Sequence, residues 1–280
     1  MGAQKGKLAI IGFGSMGGML AEGFLRSGRL EPSALLLSSR RPEAARDFAS
    51  GRPGVMAAPS NRAAAMDAST VFLCVKPPEA LVVLREIAPC LSLDRHLISI
   101  VGSLGIDSLE ELCEAAVSLA VPSLASEVDA GLTLVSHGKR VSAGQAAALE
   151  SLLAGIGAVR AFPERELPAA SALSSCGPGL LAVILDEYAS AAARHSGISR
   201  ADADFLLART AFGTGKLLAE RGLGFDEAYA RVATEGGITE AGARALRARL
   251  PAAFDEMLAL MARRRHERDQ EMRDASEGRA

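Results

Sequence analysis

Apolar residues fall along this chain in two different rhythms. Through about residue 158 they come in short continuous runs at 7–11, 34–41, 68–78, 96–102, 117–121 and 132–135, several of them ending in polar or glycine residues. A run that stays apolar at every position is what a strand buried on both faces requires. Between the runs the spacing is helical. The first such stretch puts Met16, Leu20 and Phe24 on one face, and others follow at 42–50, 79–88, 106–116 and 142–155. Ser142 leads the last of these, and Asp107 with Glu110 three residues on has the capping-box spacing. A polar link containing Asn61 joins two of the units.

After Val159 no strand pattern recurs. Helical spacing covers 177–196, then 200–221 with Ser199 as N-cap, then 225–233, then 239–265 with Pro251 interrupting. Alternating strands and helices followed by helices alone predict an α/β, doubly wound, mostly parallel sheet and an all-α C-terminal domain. The expected boundaries are 1–158, 159–268 and a charged, apolar-poor tail over 269–280, expected to be disordered. Phe205, Leu206, Ala208, Phe212, Leu217 and Leu218 make 200–221 too apolar for a lone surface helix, so a homodimer through the C-terminal helices is expected.

Composition narrows the function classes. A net charge of −2 supplies no field for nucleic acid or an anionic membrane, so neither is expected as a partner. Charge or glycine interrupts the apolar stretches, and no transmembrane helix is expected. Residues 1–6 carry no apolar signal core and no hydroxyl at position 6 for myristoylation, which makes the cytoplasm the expected location. Cys74, Cys90, Cys113 and Cys176 form no C-x-x-C pair, and the four histidines have no ligand spacing. No metal is expected.

The candidate chemistry starts at the end of the first run, where Gly12-Phe13-Gly14-Ser15-Met16-Gly17 passes directly into a helix. Gly12 permits a tight turn, Gly14 lets backbone approach a pyrophosphate, and Gly17 lets helix pack on strand. The helix start then offers free N–H groups to the anion. This is the dinucleotide-binding arrangement of a Rossmann-type domain. The second run ends in Ser38-Ser39-Arg40-Arg41, where an NAD site would carry an acid. Serines and arginines suit a 2′-phosphate, so NADP(H) is expected in preference to NAD(H).

Further stretches, taken with this loop, resemble the pyrroline-5-carboxylate reductase family across residues 7–260. They are Phe72-Leu73-Cys74-Val75-Lys76-Pro77, Leu97-Ile98-Ser99-Ile100-Val101-Gly102, Leu173-Ser174-Ser175-Cys176-Gly177-Pro178 and Thr234-Glu235-Gly236-Gly237-Ile238-Thr239. The resemblance implies reduction of 1-pyrroline-5-carboxylate, or a related cyclic imine, to L-proline by hydride transfer to C=N. It implies cofactor contacts from the glycine loop, Ser39, Arg40, Asn61, Val75, Lys76 and Pro77. Ser171 would stand near the reacting imine, and Thr234, Gly236, Gly237 and Thr239 would hold the substrate carboxylate. Independently, Gly236-Gly237 before a helix leaves N–H groups to receive an anion, with hydroxyls on either side. The chain departs from the family pattern at Leu119, Ser123, Pro168, Glu235 and Ile238, and Cys176 replaces a small hydroxyl residue. Two alternatives therefore stand beside the first: an NADP-dependent reductase of another imine or keto substrate, and an NADP-binding relative without turnover. The sequence leaves open the number of dimers in any larger assembly.

Overall fold

In a computed structural model, which describes residues 6–102 and 104–276, the first apolar run forms β1 (Leu8–Ile11) and turns into α1 (Ser15–Arg26). Next come β2 (Leu35–Ser38), α2 (Pro42–Ser50), a short β3 (Met56–Ala57), α3 (Asn61–Asp67), β4 (Thr70–Leu73) and α4 (Pro77–Ile87). Then follow β5 (His96–Ser99), α5 (Ile106–Leu112), β6 (Ala116–Val121), β7 (Gly131–His137), α6 (Ala143–Leu153), β8 (Gly157–Ala161) and α7 (Leu167–Leu173). The remaining helices are α8 (Gly177–Ser196), α9 (Arg200–Arg221), α10 (Phe225–Ala230), α11 (Ile238–Arg247) and α12 (Leu250–Ser276).

The strands make one sheet in the order β3-β2-β1-β4-β5-β6-β7-β8. Among the described residues only the β6–β7 pair is antiparallel. The sheet has helices on both faces, which is why β1 is apolar at every position. Leu8 and Ile10 join α1 and α6 through Leu20, Phe24, Leu149 and Leu152. Ala9 and Ile11 face the other way, toward Leu84 and Ile87 of α4 and Leu109 of α5. Phe24 and Phe72, both fully buried, meet with ring centroids 5.6 Å apart and tie α1 to β4. Each such buried side chain contributes on the order of 1.5–3 kcal/mol of transfer free energy.

The chain divides into two compact units, one built on residues up to Pro178 and one of Gly179–Glu267. The division falls later than the expected boundary at 158/159. Leu167 of α7 is buried in the same cluster as the β1, β4 and β5 side chains, which binds this segment to the sheet. Several local expectations also change. The polar link at Asn61 is the start of α3, whose N-cap Ser60 accepts from the Ala63 N–H. Asp107 does not cap α5. The helix begins at Ile106, whose N–H donates to Glu164 Oε1 at 2.9 Å, so a distant carboxylate does that work. The helix also stops at Leu112, because Ala116 is already paired in β6. Ser142, by contrast, forms a reciprocal capping box with Gln145.

In the second unit, helices α8 and α9 run over the residues their spacing predicts, and Ser199 caps α9 by accepting from the Asp202 N–H. The 239–265 pattern is two helices. Pro251 sits in the first turn of α12, where its missing N–H costs no hydrogen bond. Helical backbone continues to Ser276, past the expected onset of disorder near 268, and residues 277–280 lie outside the described residues. An Arg264–Glu267 pair bridges one turn there. One segment, Glu164–Ser196, is long and apolar enough to cross a membrane by length and composition alone, contrary to the sequence reading. Within the fold it is interrupted between α7 and α8.

A polar chain runs across β5, β6 and β7 to α6, buried at His96 and Ser118 and half-buried at His137 and Glu150. His96 Nε2 lies 2.8 Å from Ser118 Oγ, which lies 2.8 Å from His137 Nδ1, and His137 Nε2 lies 3.1 Å from Glu150 Oε1. Ser118 has one proton, so it donates to one imidazole and accepts from the other. Burial, helped by the His137 charge, pushes the His96 pKa down to about 4. Below the ordinary histidine value the unfolded chain therefore takes up a proton that the folded chain refuses. Stability from His96 is complete above about pH 6.5 and is lost as pH falls toward 4, by about 3 kcal/mol in total. Urea midpoints at pH 7 and pH 4.5 should thus lie closer together in His96→Gln than in the parent; an equal separation would count against this account.

Candidate functional site

The first part of the site is the turn after β1. Gly12 has φ +99°, and a Cβ there would sit 2.6 Å from the carbonyl carbon of Cys74. The turn is pinned on both sides: the Gly12 N–H donates to Ser38 O at 2.9 Å, and the Cys74 N–H donates to Ile11 O at 2.7 Å. A Cβ on Gly17 would lie 2.3 Å from Gly12 O and 3.1 Å from Ile10 Cγ2, so only glycine lets α1 approach β1. Gly14 is the α1 N-cap, with nothing within 4 Å of where its Cβ would be. Helix geometry leaves the N–H groups of Ser15, Met16 and Gly17 without intrahelical acceptors. Open backbone beside free amides fits a pyrophosphate.

The ends of β2 and β4 flank this turn. Ser38 donates to Asn61 Oδ1 at 2.7 Å, and Asn61 Nδ2 donates to Glu86 at 2.8 Å, so the first residue of α3 is anchored next to β2. Lys76 is the exposed N-cap of α4, Pro77 its first residue, and Val75 is half-buried against the core. Burial pushes the Cys74 thiol pKa up, so it stays protonated and inert. Phe13, Gly14 and Ser15 open into a cleft of about 870 Å³ between α1 and α2 that Arg41 also lines. Of the predicted cofactor residues only Phe13, Gly14 and Ser15 line it; Gly12, Met16, Gly17, Ser39, Arg40, Asn61, Val75, Lys76 and Pro77 do not. Arg40 is instead paired with Glu79 of α4.

The predicted substrate residues fall in two places. Ser171 is on α7 in the first unit, half-buried, its hydroxyl donating to Pro168 O at 2.9 Å. Thr234, Gly236, Gly237 and Thr239 come together in one turn of the second unit. Gly236 has φ +70°, and Gly237 is the α11 N-cap. A Cβ on Gly237 would lie 2.4 Å from Thr234 Oγ1. The sequence leads one to expect both glycine amides free, and here they are engaged. Gly237 N–H donates to Thr234 O at 2.9 Å, and Gly236 N–H donates to Glu240 Oε2 at 2.6 Å. The amides that helix geometry leaves open are those of Ile238, Thr239 and Glu240. Glu240 was the residue to look for: it stands three after the N-cap, at capping-box spacing, and four before Arg244, its ion-pair partner.

Two of the departures from the family pattern have structural reasons. Leu119 is buried in the sheet core, and the buried Ser123 accepts from the Leu132 N–H at 3.1 Å, fixing the β6–β7 connection. Glu235 and Ile238 are exposed, so the Glu235 carboxylate meets water. Cys176 is an exposed free thiol whose N–H donates to Ser171 O.

A doubly wound sheet with a glycine turn of this geometry, continued by a separate helical unit, defines a dinucleotide-binding protein. Residues 7–103 match the model of the coenzyme F420-dependent NADP oxidoreductases, and residues 164–271 match that of pyrroline-5-carboxylate reductase dimerisation. Pyrroline-5-carboxylate reductase 3 of Bacillus subtilis is 34% identical over 252 residues, covering 90% of this chain and 92% of its own. The chain belongs to the pyrroline-5-carboxylate reductase family. Its fold is shared by the Coxiella burnetii pyrroline-5-carboxylate reductase (TM-score 0.85, 23% identity, 96% and 99% of the two chains). It is shared too by the NADP-bound Plasmodium falciparum pyrroline carboxylate reductase (TM-score 0.80, 23% identity, 97% and 99%).

Gly12→Ala forces a Cβ onto the Cys74 backbone at a positive φ. It should destabilise the first unit by more than about 1 kcal/mol and weaken NADPH binding at least about tenfold. Urea unfolding and fluorescence titration with NADPH check both effects.

Proposed function

We propose that this chain reduces 1-pyrroline-5-carboxylate to L-proline, with NADPH as the hydride donor in preference to NADH. The observation that carries the reading is the match to a pyrroline-5-carboxylate reductase over nine-tenths of the chain. The glycine turn supports it, since its geometry suits a dinucleotide and nothing bulkier than glycine fits at Gly12 or Gly17. In this reading the amides of Ser15, Met16 and Gly17 hold the pyrophosphate, with Phe13, Ser39, Asn61, Val75, Lys76 and Pro77 beside the cofactor. NADPH supplies the hydride. The amides at the start of α11 and the Thr239 hydroxyl take the substrate carboxylate, and the Ser171 hydroxyl lies near the imine. A cyclic imine protonates readily, so hydroxyls suffice where a strong buried acid would otherwise be needed. Fixing the two reactants in attack geometry supplies on the order of 7–11 kcal/mol of barrier lowering.

One observation favours a second reading within the same architecture. The Glu240 carboxylate already accepts from the Gly236 N–H, which suits an imine without a carboxylate of its own. We also propose that the chain dimerises through its C-terminal helices, as a cytoplasmic protein. Leu181, Val183, Tyr188, Phe205 and Phe212 of α8 and α9 are each at least 59% exposed in the single chain, an apolar surface that a second copy would cover.

NADPH oxidation on adding 1-pyrroline-5-carboxylate is the direct test; turnover only with cyclic imines lacking a carboxylate would select the second reading. Thr239→Ala should raise KM for pyrroline-5-carboxylate several-fold, about 1 kcal/mol for one lost hydrogen bond, while the NADPH Kd stays put. Sedimentation of Phe212→Asp should report monomers where the parent sediments as dimers or larger.

A further inference from the structure

Arg40 and Arg41 follow β2 side by side, yet their guanidinium groups have different partners. Arg40 Nη1 pairs with Glu79 Oε1 in the first turn of α4, which turns its fork toward that carboxylate. Arg41 lines the cleft that opens from Phe13, Gly14 and Ser15. The cleft's other cations are already committed. Arg26 grips Asp129 through two bonds of 2.6 and 3.1 Å. Arg52 pairs with Glu22 at 2.6 Å and stacks over the Phe48 ring at 3.9 Å. Among the described residues, no carboxylate, ring or hydrogen-bond acceptor engages the Arg41 guanidinium.

We propose that Arg41, and not Arg40, receives the 2′-phosphate of NADP(H), with Glu79 holding Arg40 out of that role. The inference rests on the NADP(H) preference proposed above and names the residue responsible for it. Three kinds of donor follow one another closely in the chain after β2. Arg41 is the α2 N-cap and Pro42 its first residue, so the N–H groups of Glu43 and Ala44 have no intrahelical acceptor. Ser39 Oγ accepts from the Arg41 N–H at 3.3 Å and keeps its own proton to donate. Arg41 adds a planar fork matched to phosphate oxygens. Glu43, Asp47 and Glu127 also line the cleft, so it has no general attraction for anions, and discrimination falls to Arg41 itself.

The probes are 2′,5′-ADP and 5′-AMP, which differ only in the 2′-phosphate, titrated by calorimetry into the full-length protein. The parent should prefer 2′,5′-ADP. Arg41→Ala should weaken 2′,5′-ADP about tenfold or more, the size of one charge-assisted contact, and leave 5′-AMP within about twofold. Arg40→Ala should change neither ligand by more than about twofold, since its fork is turned to Glu79 and does not line the cleft. Adding Glu79→Gln to Arg41→Ala should restore part of the lost affinity by freeing Arg40. Loss of 2′,5′-ADP affinity in Arg40→Ala with Arg41→Ala unchanged would overturn the assignment, and absence of rescue would remove Glu79 from it. A parent that binds both probes alike defeats the NADP(H) preference itself, a result separable from either variant.

Discussion

The tight passage of the backbone over Cys74 at Gly12 is the constraint on which the first unit depends. With a Cβ excluded at 2.6 Å, the chain leaves β1, crosses the end of β4 and enters α1 within a few residues. The same turn is held from β2 by the bond to Ser38 O and from β4 by the Cys74 N–H. Three neighbouring strands thus end together, and the α1 amides are aimed past them. Gly17 completes the arrangement by letting α1 lie close enough to bury Leu20 and Phe24 against the sheet. Packing and anion binding are consequences of one backbone path.

Charge around that path is arranged locally. Net charge near zero leaves no long-range attraction for an anionic ligand, so recognition falls to individual donors and their competitors. Carboxylates shadow the donors in both units: Glu79 at Arg40, Glu86 at Asn61, Glu240 at Gly236. Each fixes the orientation of the donor it meets. The exposed Arg40–Glu79 pair contributes little stability, on the order of 0–1 kcal/mol, so it directs the Arg40 side chain rather than holding the fold.

The departures from the family pattern separate by environment. Leu119 and Ser123 are absorbed into the sheet and the β6–β7 connection, where burial and one backbone hydrogen bond account for them. Glu235 and Ile238 point outward from the turn before α11, and Glu240 turns back onto it. Glu235 and Ile238 are thus the departures that meet at one helix start.

The six longer strands, the glycine turn, and the spans of α2, α8 and α9 were legible in the sequence, because each rests on local physics; β3, α3, β8 and α7, short or weakly apolar, were not. Continuous apolar runs mark strands covered on both faces, and a serine followed by apolar spacing marks a helix start, as at Ser142 and Ser199. Partners far apart in the chain were not legible. Glu164 capping α5, Leu167 drawing α7 into the sheet core, the His96–Ser118–His137–Glu150 chain and the Arg40–Glu79 pair all join residues that no short-range pattern connects. Periodicity fixes which face of an element is apolar; which distant group meets that face, and which arginine is left uncommitted, follow only when the sheet order brings separate loops to one edge.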